Sequence, residues 1–81
     1  MKPVATIEID RETGKRQTLY IRRESDEGRW TWGVYSRSDG EWISLARHNR
    51  SRQEALDAIW IMYGTGDWCL EWKDEAEGGQ Q

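Results

Sequence analysis

Residues 29–42 read RWTWGVYSRSDGEW, and the dipeptide Asp39-Gly40 within them sets the register of the whole chain. Asp-Gly flanked by alternating apolar residues is a strong signal for a two-residue hairpin turn, because both central residues must take positive φ. A turn there places Ser38 opposite Glu41, Arg37 opposite Trp42, Ser36 opposite Ile43, Tyr35 opposite Ser44, Val34 opposite Leu45 and Gly33 opposite Ala46. Working outward, SDEG at 25–28 reads as a four-residue loop, which sets Glu24 against Arg29, Arg22 against Thr31, Tyr20 against Gly33 and Ile21 against Trp32. TGK at 13–15 reads as a three-residue loop that sets Ile9 against Leu19 and Ile7 against Ile21. Side chains alternate between faces along a strand. One face therefore collects Ile7, Ile9, Leu19, Ile21, Trp30, Trp32, Val34, Ile43 and Leu45, with Arg23 and Arg47 at its ends, and this is the predicted core. The other face carries Arg16, Arg37 and Trp42, then Thr18, Tyr35 and Ser44, then Tyr20, Gly33 and Ala46, then Arg22, Thr31 and His48. There, Tyr20 is expected to cover the gap left by Gly33.

After His48 the period changes from two to 3.6. Ser51 followed by Glu54 is a capping box, in which a hydroxyl and a carboxylate satisfy main-chain N–H groups that open a helix. Leu56, Ile59, Trp60 and Tyr63 fall on one helical face, and Gly64 ends the helix. DWCLEW at 67–72 reads as a short closing strand with Trp68, Leu70 and Trp72 on one side. The sequence thus predicts an α+β fold, a four-stranded antiparallel meander with one helix packed on one face and a short fifth strand. Residues 1–72 form the single domain, and the acidic, Gly/Gln-rich segment 73–81 reads as a disordered tail.

Composition narrows the classes of function. The 81 residues include six Trp and no Phe, so tryptophan supplies much of the apolar surface. One cysteine, Cys69, builds neither a disulfide nor a metal cluster, and a lone cysteine suits a reducing cytoplasm. Cys69 itself reads as a small buried hydrophobe. The first residues lack the apolar run of a signal peptide, and nowhere do 18 apolar residues run together, so no membrane span is expected. Net charge is −3 but uneven: residues 11–53 carry ten Lys/Arg against six Asp/Glu, and residues 54–81 carry one Lys against seven acids. Such polarity points to a charged partner.

No catalytic constellation is present in the sequence. His48 is the only histidine and has no nucleophile beside it, the turn acids sit where acids favour turn backbone, and GTG at 64–66 follows a helix instead of opening one. NRS at 49–51 matches a glycosylation sequon but is explained by the helix cap. No cofactor or metal is expected. What stands out is the second sheet face, where Trp42, Tyr35, Tyr20, Arg37, Arg22 and Arg16 mix rings with guanidinium groups. Rings of this kind stack on bases while arginines grip phosphates, and the same residue types dominate protein interfaces. A second candidate surface is acidic: Asp67, Glu71, Asp74, Glu75 and Glu77.

Two resemblances follow. The run LYIRRESDEGRWTWGVYSRSDGEWISLARHNRSRQEALDAIWIMYG, residues 19–64, is similar in layout to the arm-type DNA-binding domains of phage and transposon integrases. That family reads a DNA groove with its sheet face, which implies Arg22, Arg37, Tyr35 and Trp42 as contacts. The small size, the lone sheet-plus-helix unit and the acidic segment DWCLEWKDEAEGGQQ also resemble small phage-encoded inhibitors of the anti-CRISPR type. That type implies a compact non-enzymatic protein docking on host nucleic-acid machinery. It has no shared signature and assigns no residue. The expectation is a small phage or mobile-element inhibitor bound to a host protein or protein–nucleic acid complex. The alternative is a nucleic-acid-binding domain, and a homodimer through the open sheet face is a third arrangement.

Overall fold

The computed structural model describes residues 2–10, 14–64 and 67–73. Its elements run β1 (Ala5–Asp10), β2 (Arg16–Asp26), β3 (Arg29–Ser38), β4 (Glu41–Asn49), α1 (Arg52–Tyr63) and β5 (Asp67–Trp72). The five strands form one antiparallel sheet in the order β4-β3-β2-β1-β5. This is the α+β meander with one helix and a short fifth strand. The expected tail lies outside the described residues from residue 74 onward.

The two central turns are both tight. Glu27 and Gly28 take φ of 52° and 81°, and Asp39 and Gly40 take 51° and 81°. Positive φ at both central positions matches the twist of the strands they join. The first of these turns replaces the expected four-residue loop. It pairs Asp26 with Arg29 and Tyr20 with Tyr35, two residues away from the predicted register. The β1–β2 ladder also slips by two, pairing Ile7 with Leu19 and Ala5 with Ile21. An even slip leaves every side chain on its predicted face, so the core survives: Ala5, Ile7, Ile9, Leu19, Ile21 and Val34 are fully buried under Ala55 and Ile59 of α1.

β4 departs further. Its register shifts twice, between Val34 and Tyr35 of the partner strand and again between Trp32 and Val34. Ser44 faces Tyr35 as predicted, but Ala46 in place of Leu45 faces Val34. One extra residue reverses the faces beyond it. Ala46 therefore joins the core side, and Arg47 moves to the other face. His48, at φ 65°, turns the strand again before Asn49, whose side-chain amide donates to the Trp32 carbonyl at 2.9 Å.

α1 begins at the capping box. Ser51 Oγ accepts from the Glu54 N–H at 3.1 Å, and Glu54 Oε1 accepts from the Arg50 N–H at 2.9 Å. Gly64 closes the helix with its N–H donated to the Trp60 carbonyl at 2.6 Å. Because β4 and β5 are opposite edges, the connection must cross the full sheet. Four inter-strand steps span about 19 Å, and the 12 residues of α1 span about 18 Å. The helix does not spend its length on the crossing alone: its first residue, Arg52, already lies over Trp72 at the end of β5, and Trp60 packs on Trp68 near the start of the same strand. β2, at 11 residues, runs about 37 Å, so the far ends of the long hairpins lie beyond helix cover. This corrects two predicted core residues: Trp30 is 58% exposed and Ile43 is 45% exposed. Trp30 is instead covered on one side by the Arg23 guanidinium, 4.8 Å from its ring centre.

Trp32 does belong to the core margin. It meets Trp72 edge-on at 6.3 Å, and the Arg52 guanidinium lies over both rings at 5.1 and 4.4 Å. The buried stripe of α1 thus runs from Arg52 through Ala55, Leu56, Ile59 and Tyr63, and Trp60 falls outside it, 58% exposed against Trp68. Replacing Ile59 by Ala should cost about 2–5 kcal/mol. Trp60→Ala should cost less despite removing the larger side chain. Urea unfolding of the two variants measures the order.

Candidate functional site: the uncovered sheet face

A single helix covers a single face. Among the described residues no element packs over the other, so its side chains must satisfy one another. At its centre Tyr35, only 6% exposed, donates its hydroxyl proton to Glu24 Oε2. Glu24 is flanked by Arg22 at 3.4 Å and Arg47 at 3.6 Å, and its side chain is 10% exposed. The Arg22 guanidinium lies 5.4 Å over the Tyr35 ring. Trp42 closes the group. It meets Tyr20 edge-on at 4.9 Å and Tyr35 edge-on at 6.4 Å, and Arg37 stacks on it at 4.8 Å.

Gly33 makes this packing feasible. Across from it stands Arg22, not Tyr20 as the predicted register had it. The space above Gly33 is filled by the ring of Tyr35 from its own strand and by the Glu24 carboxylate. A Cβ at residue 33 would sit 2.5 Å from Glu24 Oε1 and 2.8 Å from Tyr35 Cε1.

Five of the six predicted partner-binding residues therefore gather in one cluster: Trp42, Tyr35, Tyr20, Arg37 and Arg22. Arg16 does not join them. It pairs across the ladder with Asp10, donates to Asp10 Oδ1 at 3.0 Å and to Glu8 Oε1 at 3.4 Å, and the bond to Asp10 raises its pKa further. Of the predicted acidic surface, Asp67 and Glu71 are exposed on β5, on this same face and opposite Asp10 and Thr6. Asp74, Glu75 and Glu77 lie outside the described residues. Cys69, between Asp67 and Glu71, is an exposed thiol, contrary to the buried reading.

The face is therefore divided. Its β1–β5 half carries Glu8, Asp10, Asp67 and Glu71, with Arg16 of β2 bonded to the first two. Its β2–β3–β4 half carries Arg22, Arg37 and Arg47 around the rings, with Glu24 buried among them.

No protein-family model, curated protein or solved structure matches this chain.

Sequence reasoning missed two members of the cluster. The strand pattern places Arg47 on the core face, and only the bulge in β4 brings it to Glu24. Glu24 was seen as a strand-end partner of Arg29, and only the tighter turn makes it the hub. A separate open depression of about 840 Å³ lies near the Glu27-Gly28 turn, lined by Glu27, Arg29, Trp30, Thr31, His48 and Arg50. It arises where the turn of β2–β3 meets the irregular end of β4, which the sequence pattern does not reveal. Among the described residues no three His, Cys, Asp or Glu side chains are placed to hold a metal, and no helix is long and apolar enough to cross a membrane.

Tyr35 has its pKa raised above the usual 10.0, by burial first and then by the hydrogen bond and charge of Glu24. The folded chain then holds this proton more tightly than the unfolded chain does. Stability is intact below pH 10 and falls as pH rises from there through the folded-state pKa. Tyr35→Phe should flatten that alkaline loss, and at neutral pH should cost about 1–3 kcal/mol because the Glu24 carboxylate loses a donor. Chemical denaturation at neutral and alkaline pH reads both effects. Gly33→Ala should cost about 1–3 kcal/mol through overpacking, measured in the same way.

Proposed function

We propose that this chain is a non-enzymatic protein-docking module whose contact surface is the uncovered sheet face. The observation that carries this reading is the division of that face into an acidic half and an aromatic, basic half. A nucleic acid laid across it would meet Asp67 and Glu71, beyond the Arg16-bonded Glu8 and Asp10, as well as the arginines, and the acids would repel its phosphates. A protein surface of matching polarity is attracted by both halves. The ring geometry argues the same way. Trp42 meets both tyrosines by edge-to-face contacts and carries Arg37 on its face, while Tyr35 is buried. These rings are fixed in place and are not open platforms for bases. Fixed Trp, Tyr and Arg side chains lose little freedom on association, which favours them as anchors.

On this reading Trp42, Tyr20 and Arg37 touch the partner, and Tyr35, Glu24 and Arg22 hold them in position. The acidic half suits a partner whose own surface is rich in Lys and Arg, as surfaces built to hold phosphates are. That is in keeping with a small phage-type inhibitor seated on a host nucleic-acid-binding complex. The second reading, direct nucleic-acid binding, draws on Arg22, Arg37 and Arg47 lying together in one half of the face.

Fluorescence anisotropy with labelled duplex DNA, single-stranded DNA and RNA at low and moderate salt separates the two. The docking reading expects no tight binding at either salt. Binding that weakens steeply with salt and is lost in Arg37→Ala overturns it in favour of the second. For the partner itself, affinity capture should enrich a basic protein with the wild-type chain and with Trp60→Ala. Trp42→Ala and Arg37→Glu should lose it.

A further inference from the structure

The two edges of the sheet are built differently. The β4 edge is broken by two register shifts and by the left-handed His48, and it carries Ser44 and Arg47. Bulges and charges of this kind prevent strand pairing. The β5 edge has no bulge and no left-handed residue, and its charges, Asp67 and Glu71, lie on one face of the sheet only. Its pairing with β1 is unbroken from Asp67 to Trp72, it contains no proline, and it presents Leu70 37% exposed. Beside it the exposed Trp60 packs against Trp68 at 5.7 Å.

The phase of the ladder says which groups face outward. Lys73 donates its N–H to the Val4 carbonyl at 2.7 Å. By alternation, Asp67, Cys69 and Glu71 turn their main-chain groups toward β1, as Lys73, the first residue after the strand, turns its N–H. Trp68, Leu70 and Trp72 turn theirs to the free edge, where no strand among the described residues meets them.

We propose that this edge pairs with the β5 edge of a second copy of the chain, antiparallel and two-fold about Leu70, to make one continuous ten-stranded sheet. The strand is its own complement in this register. Leu70 meets Leu70 of the other copy, Trp68 meets its Trp72, Cys69 meets its Glu71, and Asp67 comes beside its Lys73, the first residue after the strand. The outward main-chain groups form about six hydrogen bonds. Pairs of rings and of opposite charges directly across a ladder are the favourable combinations. The ion pair also answers a tension within the single chain, where Asp67 stands directly opposite Asp10. Centring the pair on Trp68 would set Asp67 against Cys69 and shorten the overlap. Centring it on Cys69 would set Asp67 against Glu71. Of these registers only the Leu70 one pairs the whole strand and sets no acid against an acid. A two-fold axis normal to the sheet keeps both helices on one side and both Trp42 clusters on the other, so the docking face is left open and doubled.

Sedimentation equilibrium of the full chain tests this directly. The expected mass is twice 9.6 kDa, reversible on dilution. Leu70→Lys sets two like charges on the axis and should weaken the dimer by more than about a hundredfold. Asp67→Lys should weaken it by about tenfold, and Asp67→Lys combined with Lys73→Asp should restore it. Far-UV circular dichroism confirms that each variant is folded. If Leu70→Lys fails to fold, the exposed Asp67 pair carries the test alone. A 9.6 kDa species at every concentration overturns the proposal, as does a dimer that survives Leu70→Lys or is broken by Trp42→Ala. Failure of the charge swap to restore pairing overturns the register.

Discussion

One helix has to cover one face of a five-stranded sheet, and the rest of the structure follows from how little it can reach. α1 has only 12 residues, and it touches β5 both at its start, through Arg52 on Trp72, and near its end, through Trp60 on Trp68. Its buried side chains, Ala55 and Ile59, are small enough to bring it close over Ile7, Ile9, Leu19 and Ile21. Where it begins, Arg52 spreads over Trp32 and Trp72 and so draws the β3 and β5 sides of the sheet toward the same point. Beyond its reach the hairpin ends are bare, which is why Trp30 and Ile43 are exposed. Behind the sheet there is no helix among the described residues, and a network of rings, guanidinium groups and one carboxylate takes its place.

That network is electrostatically unusual for a surface. Glu24 is shielded from water yet keeps a hydroxyl donor and two arginines around it, while Tyr35 is buried on a face that no other described element covers. A buried charge of this kind is stable only while its partners stay in place. The cluster therefore behaves as a small second core made of polar parts. Its order comes from mutual restraint, and the rings it presents outward are held before any partner arrives.

Much of this was legible in the sequence, for reasons that can be named. Alternation placed Ile7, Ile9, Leu19, Ile21 and Val34 on one face, and those positions tolerated two wrong loop lengths because each error was even. Asp39-Gly40 gave the correct β3–β4 pairs from Ser38 to Tyr35. Ser51 and Glu54 marked the helix start. The unread part lies in β4. The extra residue beside Val34 and the left-handed turn at His48 have no local signature, since neither falls on glycine, and they alone carry Ala46 inward and Arg47 outward. In the helix, the large ring of Trp60 fits the 3.6-residue pattern as well as the small Ala55 does, yet it is Ala55 that is buried. Arg16 was misplaced because the two-residue slip of β1 against β2 put Asp10 beside it.

The ladder between β1 and β5 joins residues near the two ends of the described chain, with Ala5 against Trp72 and Val4 against Lys73. The hairpins at Glu27-Gly28 and Asp39-Gly40 close over two residues each, which is entropically cheap and fast. The β1–β5 contact instead closes a loop of nearly the whole domain. Long-range contacts of this kind slow folding. The expected order is hairpins first, helix docking next and the terminal ladder last. Until that last step the inner edge of β1 is unpaired, so a newly made chain passes through a stage in which its most apolar short strand, ATIEID, is open to the wrong neighbour.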